Sequence, residues 1–148
     1  IKLIAAGQTA TGFDMLEKII AGADAVNVAR SMMMALGCVQ AKNCNTNHCP
    51  TGVATQNPSR VRAIDVFEKS DRVRNFHHAT VHAFLELCGA MGFDNPSNLK
   101  PTDLYSRCEG GTKNFDQIYC RLDERQLLSD TIPDSYRDDW LRASADCF

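Results

Sequence analysis

The chain has 148 residues, 44% of them apolar and 23% charged, with a net charge of -2 at pH 7. That composition fits one globular domain with a real core, and it excludes a disordered tail, a fibre and a chain that holds nucleic acid through excess positive charge. No apolar run approaches the roughly 18 residues that cross a bilayer, and no signal peptide is visible, although the chain begins with Ile1 and not Met.

The pattern opens as strand, helix, strand. Residues 2–5 are a short apolar run that ends at Gly7. Thr11 and Asp14 have capping-box spacing, with Asp in place of the usual Glu or Gln. Phe13, Leu16, Ile19 and Ile20 follow at helical spacing, and Gly22 stands where a helix C-terminal glycine belongs. Residues 25–28 are the next apolar strand. A helix between two such strands makes a βαβ unit with parallel strands. Two parallel strands cannot bury both faces of a sheet, so the pattern reads as the end of a larger α/β protein.

Residues 30–41 predict a helix rich in good helix formers, among them Met32, Met33, Ala35 and Leu36. Met32, Met33 and Met34 read as packing and not as a metal box. Residues 43–57, dominated by Asn, Thr, Pro and Gly, predict an irregular loop. A long helix is expected from near Asp71, with Val73, Phe76, Thr80, Val81, Phe84, Leu87, Cys88 and Met91 on one face. It should stop at Gly92, before a turn at Asn95 and Pro96. Residues 99–108 predict a further short helix, broken by Gly110 and Gly111. The last thirty residues are acidic, with short amphipathic pieces around Leu127 and Trp140.

Seven cysteines are present, an odd number. Cys38, Cys44 and Cys49 lie within twelve residues, whereas Cys88, Cys108, Cys120 and Cys147 are scattered singly. A secreted disulfide framework shows an even count in a loop-rich chain, so a reducing cytoplasm is the expectation. Soft thiolates suit an iron–sulfur cluster or zinc. Three thiolates on a flexible loop can reach the corners of one cubane, and Pro50 after the last cysteine resembles the Cys-Pro ending of ferredoxin runs. Zinc could take the same three with His48 as a fourth ligand. The spacing, however, lacks the Cys-x2-Cys knuckle, and His48 adjoins Cys49. Unligated thiols are the third reading. His78 and His82 lie four apart on the long helix, a spacing that can share a metal, but they fall near its polar side and read as solvated. Arg60, Arg62, Lys69, Arg72 and Arg74 are interrupted by Asp65, Glu68 and Asp71, which reads as a solvated face.

The run ALGCVQAKNCNTNHCPTGVATQNP, residues 35–58, resembles the glutamate synthase large-subunit family and its shorter FMN-containing relatives. In that family a Cys-x5-Cys-x4-Cys segment followed by PxGVATQ binds a three-iron, four-sulfur (3Fe-4S) cluster. The resemblance therefore implies Cys38, Cys44 and Cys49 as its ligands. VRNFHHATVHAFLELCGAMGF and the ending DDWLRASADCF resemble the tail of the shorter relatives, so the likeness extends along the whole chain. The implied fold class is α/β: the C-terminal portion of a TIM-type (β/α)8 barrel, then an iron–sulfur loop and a mainly helical tail. The corresponding divisions are 1–34, 35–58 and 59–148.

Family members bind FMN at the barrel mouth, with phosphate against loops after the last strands. The matching positions are Gly7, Gln8, Ala29, Arg30 and Ser31. Here the chain departs from the family, which often has paired glycines at positions 7 and 8. The larger synthases also carry glycines where this chain has Asn27 and Ala29. The resemblance implies a glutamate synthase-like oxidoreductase acting on CH-NH2 donors. Electrons from a reduced donor, ferredoxin or an NAD(P)H-oxidising subunit, would pass through the cluster to FMN. Reduction of the imine made from 2-oxoglutarate and ammonia or glutamine nitrogen would then give glutamate. No catalytic acid, base or nucleophile is identified within these residues, and the isolated piece is expected to be inactive.

Overall fold

The computed structural model describes residues 1–146; Cys147, read above as a scattered thiol, lies outside them. Strand β1 (Ile4–Ala6) pairs in parallel with β2 (Ala25–Asn27), in the register Ile4 to Ala25, Ala5 to Val26 and Ala6 to Asn27. The two strands are shorter than the apolar runs that announce them. Helix α1 (Gly12–Ile20) joins them. Its capping box is complete: the Thr11 hydroxyl accepts from Asp14 N–H at 3.2 Å, and the Asp14 carboxylate accepts from Thr11 and Ala10 N–H at 2.8 and 2.9 Å. Those backbone donors, Ala10 first, hold the Asp14 carboxyl below its ordinary range. A shorter Asp side chain thus does the work of Glu, because it also reaches one residue further back.

Helix α2 (Arg30–Leu36) follows β2 directly. It ends five residues sooner than the composition suggests. Gly37 takes φ +107, and Gly37 and Cys38 N–H bond back to the Met34 and Met33 carbonyls at 2.9 and 3.0 Å. This is a Schellman stop, which satisfies two end carbonyls and needs a left-handed residue at its turn. A single turn, α3 (Pro58–Val61), is capped by the Asn57 side chain.

Helix α4 (Val66–Ala90) is the spine of the molecule. It starts ahead of the expected Asp71, because the Asp65 carboxylate caps Glu68 N–H at 3.0 Å. Val66 and Phe67 in its first turn are exposed, so no apolar stripe betrays that start. Both α1 and α2 pack against α4. Leu16, Ile20, Phe84, Cys88 and Leu99 form the buried core, with Ile19, Leu87, Met91 and Phe115 packed around it. Burial of each large apolar side chain is worth roughly 1.5–3 kcal/mol. Gly12 sets the approach of α1: a Cβ there would lie 2.5 Å from Phe84 N.

The expected helix over 99–108 is not formed. Pro96–Asn98 and Pro101–Asp103 are single 3-10 turns. Tyr105–Cys108 is strand β3, paired antiparallel with β4 (Gly111–Asn114). Glu109 and Gly110 form the tight turn between them, with Gly110 at φ +89. Gly110 and Gly111 therefore close a hairpin instead of breaking a helix. A short α5 (Phe115–Ile118), a 3-10 turn at Gln126–Leu128 and α6 (Asp134–Arg142) complete the described tail. The architecture is mixed α/β, and no described helix is long and apolar enough to cross a membrane.

Candidate metal centre

Cys38, Cys44 and Cys49 come together around one recess. Its other walls are Val39, Ala41, Lys42, Asn43, Pro50 and Thr51. Cys38 is the first residue after the α2 stop, so the helix end fixes its backbone. Cys44 is exposed, Cys38 half-buried and Cys49 buried.

The loop between α2 and α3 is irregular, as the composition predicts, but it is not slack. Gln40, Lys42 and Asn47 all take left-handed φ, at +54, +57 and +63. Each such non-glycine residue costs about 1–2 kcal/mol. Strain of that kind persists where the surroundings over-determine the backbone, and it gathers at functional sites. Here the surroundings are visible. The Asn47 side chain accepts from Gln56 N–H at 2.6 Å and from the Thr55 hydroxyl at 3.1 Å, while its carbonyl accepts from the same hydroxyl at 2.7 Å. These bonds staple residue 47 to residues 55 and 56 and close a ring of chain around Cys49.

Inside that ring, Cys49 is set apart from its two neighbours. Its sulfur lies 3.4 Å from the Thr51 hydroxyl. The Thr51 hydroxyl, then the Ala54 and Thr51 backbone N–H groups, pull the Cys49 thiol down from 9.0 to about 7, against the effect of burial. Cys38 Sγ accepts one backbone bond, from Gln40 N–H at 3.4 Å. No hydrogen bond reaches the Cys44 sulfur among the described residues. Gly52 makes the turn after Thr51 possible. It takes φ +82, and a Cβ there would fall on the Arg60 carbonyl. Arg60 in turn donates from Nη1 to the Cys49 carbonyl at 3.3 Å. It is therefore half-buried bracing for the loop and not part of a solvated face.

His48 is not among the residues that line the recess. Its Nδ1 lies 2.6 Å from the Thr46 carbonyl. His78 and His82 are exposed on α4, with His82 Nδ1 3.3 Å from Glu86 Oε2. Among the described residues, no three His, Cys, Asp or Glu side chains converge closely enough to hold a single metal ion.

The candidate phosphate positions lie at the other end of α2. Gly7 and Gln8, after β1, both have positive φ, +94 and +51. Gln8 thus follows the backbone path that a second glycine would take more cheaply. Ser31 is buried and donates its hydroxyl to the Thr9 carbonyl at 3.0 Å, tying the loop after β1 to the start of α2. Ala29 gives α2 no side-chain cap. Arg30 is exposed beside it.

Thr51, Gly52, Asn47 and Arg60 carry no sequence signal as individual supports. Thr51 acts two residues away, on Cys49, but Gly52, Asn47 and Arg60 act through contacts across 8 to 11 residues that no local pattern displays.

Residues 1–94 match the family described as a conserved region in glutamate synthase. The chain is 35% identical to the glutamate synthase large subunit-like protein YerD of Bacillus subtilis over 119 residues, 80% of this chain and 23% of that protein. It is 37% identical to the archaeal NADPH glutamate synthase of Methanocaldococcus jannaschii over 100 residues, 68% of this chain and 20% of that protein. An NADH glutamate synthase of Saccharomyces cerevisiae is 30% identical over 90 residues, 59% of this chain and 4% of that protein. The chain thus spans about a fifth to a quarter of the length of the first two relatives.

Proposed function

The chain belongs to the glutamate synthase family, and from that footing we propose that it is the cluster-bearing part of an oxidoreductase forming glutamate reductively from 2-oxoglutarate and ammonia or glutamine nitrogen. Cys38, Cys44 and Cys49 hold a 3Fe-4S cluster. Gly7, Gln8, Ala29, Arg30 and Ser31 line the phosphate end of an FMN site. The electron donor is a ferredoxin or an NAD(P)H-oxidising subunit.

The observation that carries this reading is the recess lined by all three cysteines of the motif, with the Gln40 N–H turned toward the Cys38 sulfur and the Thr51 hydroxyl 3.4 Å from the Cys49 sulfur. The donor set fits. Thiolates suit iron and sulfide, and N–H or O–H groups at the sulfurs stabilise their negative charge. A lone zinc draws its thiolates to about 2.3 Å from one point. A cubane binds each thiolate at a different corner and asks for less convergence. His48, the fourth ligand weighed for zinc, does not line the recess.

When bound, the cluster and FMN supply the electron- and hydride-transfer chemistry that side chains lack. The residues here do the holding. The Schellman stop fixes Cys38, the Asn47 staple closes the loop, and Arg60 and Gly52 brace Cys49. At the flavin end, Ser31 locks the two loops together, leaving the backbone N–H groups of Gly7, Gln8 and the first turn of α2 as anion donors. The TIM-barrel reading is supported by β1 and β2. They are parallel, and Ile4 is 63% exposed beside the half-buried Ala5, an apolar strand position open to cover by further strands.

The flavin half is tested by FMN retention in the full chain. Arg30→Ala is expected to weaken it about tenfold, in keeping with loss of a charge-assisted bond. Unchanged retention would remove Arg30 from the site.

A further inference from the structure

Within the cluster reading, the three ligands are not equivalent. Cys44 is open to solvent, Cys38 receives one backbone bond, and Cys49 alone has a side-chain hydroxyl at its sulfur. With free thiols either partner of the Cys49–Thr51 contact can be the donor. A metal-bound thiolate has no proton to give, so the Thr51 hydroxyl must then donate. Its position does not depend on a ligand being present. Thr51 sits between Cys49 and Gly52, whose left-handed turn is packed against the Arg60 carbonyl. Arg60 holds the Cys49 carbonyl from the other side, and Gly52 N–H points back to that carbonyl at 3.5 Å. The hydroxyl is thus a half-buried, fixed dipole aimed at one sulfur.

We propose that the Thr51 hydroxyl is a positioning group for the Cys49 sulfur and, through that hydrogen bond, raises the reduction potential of the cluster. The sign follows from charge. Adding one electron makes the cluster more negative, and part of that charge resides on the cysteine sulfurs. A donor at sulfur stabilises the reduced form more than the oxidised form. Removing it therefore makes reduction harder. Arg60 and the Asn47 staple act on the backbone and not on sulfur, so their loss should weaken loading without the same shift.

The test is a redox titration of the full chain loaded anaerobically, followed by electron paramagnetic resonance. Dithionite supplies one electron to each oxidised cluster, with mediators for equilibration. Thr51→Val keeps the side-chain shape and removes the hydroxyl; Thr51→Ser keeps the hydroxyl. The expected result is a lower potential in Thr51→Val, with a change of up to about tenfold in the reduction equilibrium, or about 59 mV for one electron. Thr51→Ser should match the wild type. Equal potentials in the wild type and Thr51→Val, with iron and acid-labile sulfide intact in both, would overturn the inference and leave the cluster reading standing. If Thr51→Val cannot be loaded, Thr51→Ser decides: loading at the wild-type potential supports the role of the hydroxyl, and failure to load overturns it. A wild-type chain without iron and sulfide would remove the cluster reading and this inference with it.

Discussion

Cys49 has a thiol held near pH 7 by the donors around it, and this has a consequence for the protein without its cluster. The folded value lies below the ordinary 9.0, so the thiolate is favoured by the fold. Its contribution to stability is complete above about pH 9 and is lost as the pH falls through about 7. The cluster-free protein should therefore melt at a higher temperature at pH 9 than at pH 7 by a margin that Cys49→Ser reduces. Equal pH dependence in the two would show that the donors do not favour the thiolate. Gly52 gives a second test at this scale. Gly52→Ala combines a left-handed backbone with a Cβ on the Arg60 carbonyl, at a cost of order 3 kcal/mol. It should lower iron retention together with the melting temperature. That Cys38, Cys44 and Cys49 share one recess was legible in the sequence because their spacing is local. Their supports were not: Asn47 bonds residue 56 and Arg60 bonds residue 49, and neither pairing leaves a period or a composition to read. Gln8 shows the opposite limit. A residue type that argues against a tight turn still takes the turn at φ +51.

Among the elements, α1 and α4 carry the packing. Leu16→Ala should cost about 2–5 kcal/mol, since the side chain is only 1% exposed within the core. Gly12→Ala should cost about 1–3 kcal/mol by pushing α1 off α4, because its Cβ meets backbone that cannot step aside. Chemical denaturation of the full chain measures both, and a neutral Gly12→Ala would contradict the close approach. The βαβ unit could be read ahead of the structure because its capping box and helix stripe are complete within a dozen residues. The start of α4 could not, since Val66 and Phe67 are exposed and only the Asp65 cap marks it. The hairpin of β3 and β4 was hidden for a different reason. Pro101 and Asp103 are genuine helix-start residues, but they open a single 3-10 turn, and pairing across the turn at Glu109 and Gly110 decides the rest.

For the molecule as a whole, helix α2 links the two ends of the proposed chemistry. Its first turn lies beside the loop after β1, and the stop at Gly37 that ends it delivers Cys38 to the recess. A phosphate cradle and a cluster loop at opposite ends of one seven-residue helix would sit about 10 Å apart along its axis. The proposed function rests on Cys38, Cys44 and Cys49 holding an iron–sulfur cluster. Its most direct test is iron, zinc and acid-labile sulfide analysis of the full chain purified without oxygen, alongside the three single Cys→Ser variants. Iron with sulfide in slight molar excess is expected in the wild type, with loss of both in each variant. A colourless wild-type protein with stoichiometric zinc and no sulfide would contradict it.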